Sequence, residues 1–145
     1  THINSPEFEP SRDGITLIQQ YVRSTDQSIT RVEFIGGEFL YAVRVDTRGG
    51  FELCPCDTEM CSTEKRPKFE IIKDFGDPLI ERYRAFAAEN RLGVCAFEFV
   101  RDASGRAFTY DINTNTNYNG EAEKAARVCA MDRLAQRLGE ALRQL

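Results

Sequence analysis

A chain of 145 residues that is 41% hydrophobic carries enough apolar side chains for one compact core. Its net charge of −4 comes from 23 acidic and 19 basic residues mixed along the length, with no basic run. That pattern argues against nucleic acid and against a membrane surface as partners. No apolar run reaches membrane-spanning length and no cleavable signal is visible. Five cysteines, an odd number, cannot complete an intramolecular disulfide set, and with a single His they point to a reducing cytoplasmic setting with free thiols.

In chain order, residues 1–14 hold two prolines among polar residues and read as an irregular lead-in, with His2 as a solvated side chain. The run ITLIQQYV at 15–22 has the length and β-branching of a strand, either plain core or a hinge whose backbone meets a flat heterocycle; the residues themselves favour core. Residues 29–45 form a hairpin around Gly36-Gly37, a pair suited to a two-residue primed turn. A simple count across that turn places Val32, Phe34, Phe39, Tyr41 and Val43 on one face and Arg31, Glu33, Leu40, Ala42 and Arg44 on the other. Arg31 and Arg44 are then diagonal neighbours at about 7–8 Å, able to clamp a phosphate or carboxylate, unless both are surface arginines with Glu33 as partner.

The connection at 51–69 carries Cys54, Cys56 and Cys61, three thiols with no nearby His. Structural zinc sites take four ligands, so buried thiols fit better than zinc or redox chemistry. Asp77-Pro78 is an N-cap followed by proline, and Leu79, Ile80, Tyr83, Phe86 and Ala87 recur at helical spacing up to Gly93. From Glu121, the positions Ala125, Val128, Leu134, Leu138, Leu142 and Leu145 mark one longer amphipathic helix. The order β, ββ, α, ββ, α is α+β: an antiparallel sheet of two hairpins plus an N-terminal strand, packed by two helices.

Residues 93–117 hold the chemistry. Two alternating strands flank Asp102-Ala-Ser-Gly105, and with Ser104-Gly105 as the central turn residues Glu98 faces Asp111 and Ala96 faces Asn113. Two carboxylates and an amide then share one face while Phe97, Phe99, Phe108, Tyr110 and Ile112 take the other. Like charges directly opposed destabilise a sheet unless a cation lies between them, and a hard cation with oxygen ligands suits this set.

These residues carry a resemblance. FTYDIN followed by TNTN resembles the closing metal-binding strand of ATP-grasp ligases, and GVCAFEF resembles the strand before it. IQQYV, TRVEFIGGEFLYAVRV and a helix ending in GV follow in the same order, and RimK-type glutamate ligases and related amino-acid ligases are the most similar subgroup. The resemblance covers roughly residues 15–118 and implies the C-terminal lobe of a larger protein, with 119–145 as its final helix. It implies ATP-dependent ligation of a carboxylate to an amine through an acyl phosphate, with a thiol as the less favoured acceptor. The substrates would be small molecules or peptides, and an exposed half-domain surface would invite a homodimer. Glu98, Asp111 and Asn113 would hold two magnesium ions, with manganese as a substitute. Arg44 and Arg31 would neutralise the transferring phosphate, and Gln20, Tyr21 and Val22 would form the adenine hinge. The family usually places Asp then Glu at the metal positions, whereas Glu98 precedes Asp111 here. The family's phosphate-binding lysine and Gly-rich lid have no counterpart in these residues, so this stretch alone is not expected to run a full ligase cycle. The alternatives are a non-catalytic nucleotide- or protein-binding module on the same fold, and a small zinc or thiol domain built on Cys54, Cys56 and Cys61.

Overall fold

The structure, a computed structural model, describes residues 4–9, 11–48 and 67–144. The readings made for His2 and for Cys54, Cys56 and Cys61 lie outside the described residues. Five strands, β1 (Ser28–Ile35), β2 (Glu38–Asp46), β3 (Phe69–Ile72), β4 (Val94–Arg101) and β5 (Ala107–Asn113), form one antiparallel sheet in the order β3-β2-β1-β4-β5. Three helices accompany it: α1 (Leu79–Glu89), α2 (Gly120–Ala126) and α3 (Ala130–Leu142). The α+β class and the antiparallel sheet are as the residue pattern predicts.

Both sheet faces are covered. On the first, Val32, Phe34, Cys95, Phe97 and Phe99 pack under α1, whose Tyr83 stacks on Phe97 with ring centroids 4.3 Å apart. Asp77 starts that helix as expected, its carboxylate accepting from Leu79 N at 3.0 Å. On the second face, Ile29, Tyr41, Val43, Val45 and Val100 pack with Ala130 and Leu134 of α3.

Each hairpin contains a one-residue bulge. The Gly36-Gly37 turn forms as expected, both glycines at positive φ (64° and 80°), and Ile35 pairs with Glu38. The register then slips between Glu33 and Phe34, so Leu40 is extra on β2, Arg31 faces Val43 and Arg44 faces Thr30. A one-residue slip exchanges faces. Tyr41 and Val43 therefore lie on the Arg31 face, away from Val32 and Phe34, and Arg44 lies on the face opposite Arg31. In the second hairpin the loop is wider than a two-residue turn: Asp102 to Arg106 close it, and Arg101 pairs with Ala107. A bulge between Glu98 and Phe99 compensates, so Glu98 still faces Asp111 and Ala96 still faces Asn113.

Three further details depart from expectation. Residues 15–22 do not form a strand, and Ile15, Leu17, Ile18 and Tyr21 are exposed. The fifth strand is instead β3, which takes its hydrogen bonds from the outer edge of β2. The C-terminal segment is two helices, broken where Arg127 turns left-handed (φ 58°). The break is fastened by Glu123, which is buried and whose Oε1 accepts from both Ala130 N (2.8 Å) and Tyr41 OH (2.7 Å).

Candidate functional site

Four side chains expected at a site come together on the second sheet face. Crossing the sheet, Arg31 on β1 faces Glu98 on β4, which faces Asp111 on β5. Asn113, two residues beyond Asp111, shares its face; its Nδ2 lies 2.8 Å from Asp111 Oδ2 and 3.4 Å from Glu98 Oε1. The three oxygen-bearing groups thus converge on one point. Amide orientation is a matter of assignment, and a half-turn of the Asn113 amide presents its oxygen there instead.

Burial makes this an electrostatic site. Glu98 is fully buried (0% exposed), and Glu33 on the same face is 2% exposed. Arg31 bridges them, Nε donating to Glu33 Oε1 at 2.6 Å and Nη1 to Glu98 Oε1 at 3.2 Å. Desolvation pushes the Glu98 carboxyl above its ordinary value; the Tyr110 hydroxyl and Arg31 oppose that rise and Asp111 adds to it. Desolvation raises Glu33 likewise, against the Arg31 charge. Arg31 thus pairs with two of the three carboxyl groups on this face, while Asp111 accepts from the Asn113 amide.

Tyr110 lies on the carboxylate face and not, as strict alternation predicts, with Phe97 and Phe99. As the extra residue of the β5 bulge it points with Asp111 toward Glu98, donating from its hydroxyl to Glu98 Oε2 at 3.0 Å. Burial first, then the Glu98 charge, raises its own pKa. Its backbone carbonyl accepts from Gln19 Nε2 at 3.1 Å, which ties the 15–22 segment to the bulge.

Arg44 is not in this group. It sits on the opposite face and pairs with Asp26 at 3.3 Å, so the expected two-arginine clamp does not form; the Leu40 bulge is the physical reason. Of the hinge residues, Tyr21 and Val22 line a cleft of about 460 Å³ together with Arg23, Ile29, Arg48 and Val100, while Gln20 is exposed and outside its lining. Ile29 precedes Arg31 by two positions and Val100 follows Glu98 by two. The cleft therefore opens on the carboxylate face, about 7 Å along the strands from that row.

Among the described residues no three His, Cys, Asp or Glu side chains are grouped to hold a metal ion. Magnesium does not need such a cage, because it is commonly held by one or two carboxylates with the remaining positions filled by phosphate oxygens and water. Glu98, Asp111 and Asn113 fit that pattern. Buried Glu33 and Glu123 and half-buried Tyr110 are polar residues that the pattern of the sequence did not single out as site residues. Only Glu33 had a visible signal, its i, i+2 relation to Arg31.

No protein-family profile matches the chain, and no curated protein matches it either. Solved structures do. The macrocyclase MdnB from Microcystis aeruginosa MRC superposes with a TM-score of 0.54 at 15% identity, over 86% of this chain and 40% of that one. The ATP-grasp ligase PsnB, complexed with a precursor variant, Mg and ADP, gives 0.55 at 19% identity over 80% and 32%. The D-cycloserine synthetase DcsG gives 0.51 at 20% over 86% and 41%. The fold is therefore ATP-grasp-like, and the chain spans 32% to 41% of the length of these proteins. No helix among the described residues is long and apolar enough to cross a membrane.

Proposed function

We propose that this chain forms the nucleotide- and metal-binding C-terminal lobe of an ATP-dependent ligase that joins a carboxylate to an amine. In this reading the substrate carboxylate attacks the γ-phosphorus of ATP, ADP departs, and the amine nitrogen displaces phosphate from the acyl phosphate. Glu98, Asp111 and Asn113 hold the magnesium ions, which neutralise charge on the phosphates when bound. Arg31, held by two carboxylates with its Nη2 unpartnered, offers that donor to the transferring phosphate. Tyr21 and Val22 receive the adenine, and Arg23 and Arg48 border the same cleft.

The observation that carries this reading is the convergence of Glu98, Asp111 and Asn113 beside Arg31, on the face where the Tyr21–Val22 cleft opens. Arg44 is not given a phosphate role, since it lies across the sheet. Peptide-bearing relatives such as PsnB with its minimal precursor make a peptide carboxylate or amine a fitting substrate class. Because the chain spans only part of those proteins, a complete turnover requires the remaining lobe. Calorimetry of the chain with ADP tests the reading. Affinity should rise when magnesium is added, and Asp111→Asn should remove most of that rise, whereas Arg44→Gln should leave it. An ADP affinity indifferent to magnesium refutes the proposal.

A further inference from the structure

We propose that the outer stripe of α3 docks on α3 of a second copy of this chain, the two helices running antiparallel. Ala130 and Leu134 turn inward and pack with the sheet. Met131, Ala135, Leu138 and Leu142 recur at helical spacing on the neighbouring stripe, which is open. Met131 is 58% exposed, Leu138 56% and Leu142 70%. These side chains line about 16 Å of helix, and a contiguous apolar stripe rimmed by charges marks an interaction site.

The charges on the rim identify the occupant. Arg133 bonds to Gln136 and Arg137 pairs with Glu140, whereas Asp132 and Arg143 make no hydrogen bond or ion pair. A two-fold axis crossing the helix between Gln136 and Arg137 sets Met131 level with the partner's Leu142 and Ala135 level with the partner's Leu138. Asp132 comes level with the partner's Ala141, on the flank of the stripe that also carries Arg143. Arg143 lies back along its helix, with Nη1 3.9 Å from where a side chain on Gly139 would begin. Its guanidinium therefore stands at the level that the axis gives to the partner's Asp132, and the symmetry makes this ion pair twice. In a parallel pair, Asp132 would meet Asp132 and Arg143 would meet Arg143, and like charges oppose association. The stripe is thus complementary to itself in one direction only. One helix pair buries less area than a permanent interface, so the dimer should be weak and concentration-dependent. The contact does not rest on the ligase reading.

Sedimentation velocity over a concentration series reaching the high micromolar range tests the proposal. The average mass should climb from 16.5 kDa toward twice that value. Leu138→Glu, at an exposed position, should hold the chain monomeric with its circular dichroism unchanged. Should that variant fail to fold, Leu142→Ser, at a still more exposed position, takes its place. Asp132→Lys and Arg143→Glu should each weaken association about tenfold, and the two exchanges together should restore it. A chain that stays monomeric throughout, as it would if another segment or another protein covers the stripe, overturns the proposal. So does a dimer that survives the Leu138 or Leu142 variant, or a double exchange no tighter than the single ones.

Discussion

Replacing Arg31 by Met keeps much of the side-chain bulk and removes the one cation among the described residues that bonds to the two buried carboxyl groups Glu33 and Glu98. Glu33 loses a bond of 2.6 Å and Glu98 one of 3.2 Å. Hydrogen bonds to charged groups contribute about 1.5–3 kcal/mol each, and removing one partner of a buried pair costs about 3–5 kcal/mol. Arg31 keeps 17% of its side chain exposed, which favours the lower end, about 3 kcal/mol at neutral pH. The cost depends on pH with a definite sign. Both carboxyls titrate above their ordinary value of 4.5 in the folded chain because burial outweighs Arg31. A carboxyl with a raised folded pKa binds more protons folded than unfolded, so its favourable contribution is complete below its unfolded value and is lost as pH climbs through the folded one. Without Arg31 the folded values rise further. The penalty should be small near the unfolded pKa of about 4.5 and grow to its full size at neutral pH. Urea titrations of both proteins between these limits measure it. A loss below about 1 kcal/mol at neutral pH, or one that does not shrink on acidification, refutes the buried-network account.

Three further outcomes follow from the packing. Phe97→Ala removes a ring 1% exposed that stacks on Tyr83 and meets Phe34 and Phe86 edge-on, and should cost about 3–5 kcal/mol in urea unfolding. Glu123→Ala strands the Tyr41 hydroxyl and the Ala130 amide; it should release α3 selectively, seen as faster amide exchange in 130–142 while β1 and β4 stay protected. Burial pushes the Cys95 thiol up to about 11, so in the folded chain at pH 8 iodoacetamide should modify exposed Cys129 and spare Cys95, as mass spectrometry of peptides would show.

Hairpin strands, the Gly36-Gly37 turn, the Asp77 cap and the facing of Glu98 with Asp111 were legible in the residues, because alternation, turn chemistry and capping are local properties. Glu98 faces Asp111 as it would across a two-residue turn because the wider Asp102–Arg106 loop and the Tyr110 bulge cancel. Only the tertiary structure decided on which face several side chains fall. A bulge depends on how twisted strands meet their neighbours, and nothing in EFLYAV marks Leu40 as extra, yet that residue sends Arg44 away from Arg31. The corresponding bulge turns Tyr110 onto Glu98. Likewise ITLIQQYV has a strand's composition but does not form a strand, whereas the four residues of β3 pair with the outer edge of β2. The helical pattern after Asn119 runs unbroken in the sequence. It breaks at Arg127 where the buried carboxylate of Glu123 bonds at once to a strand and to the next helix, a contact across 82 residues that no local pattern encodes.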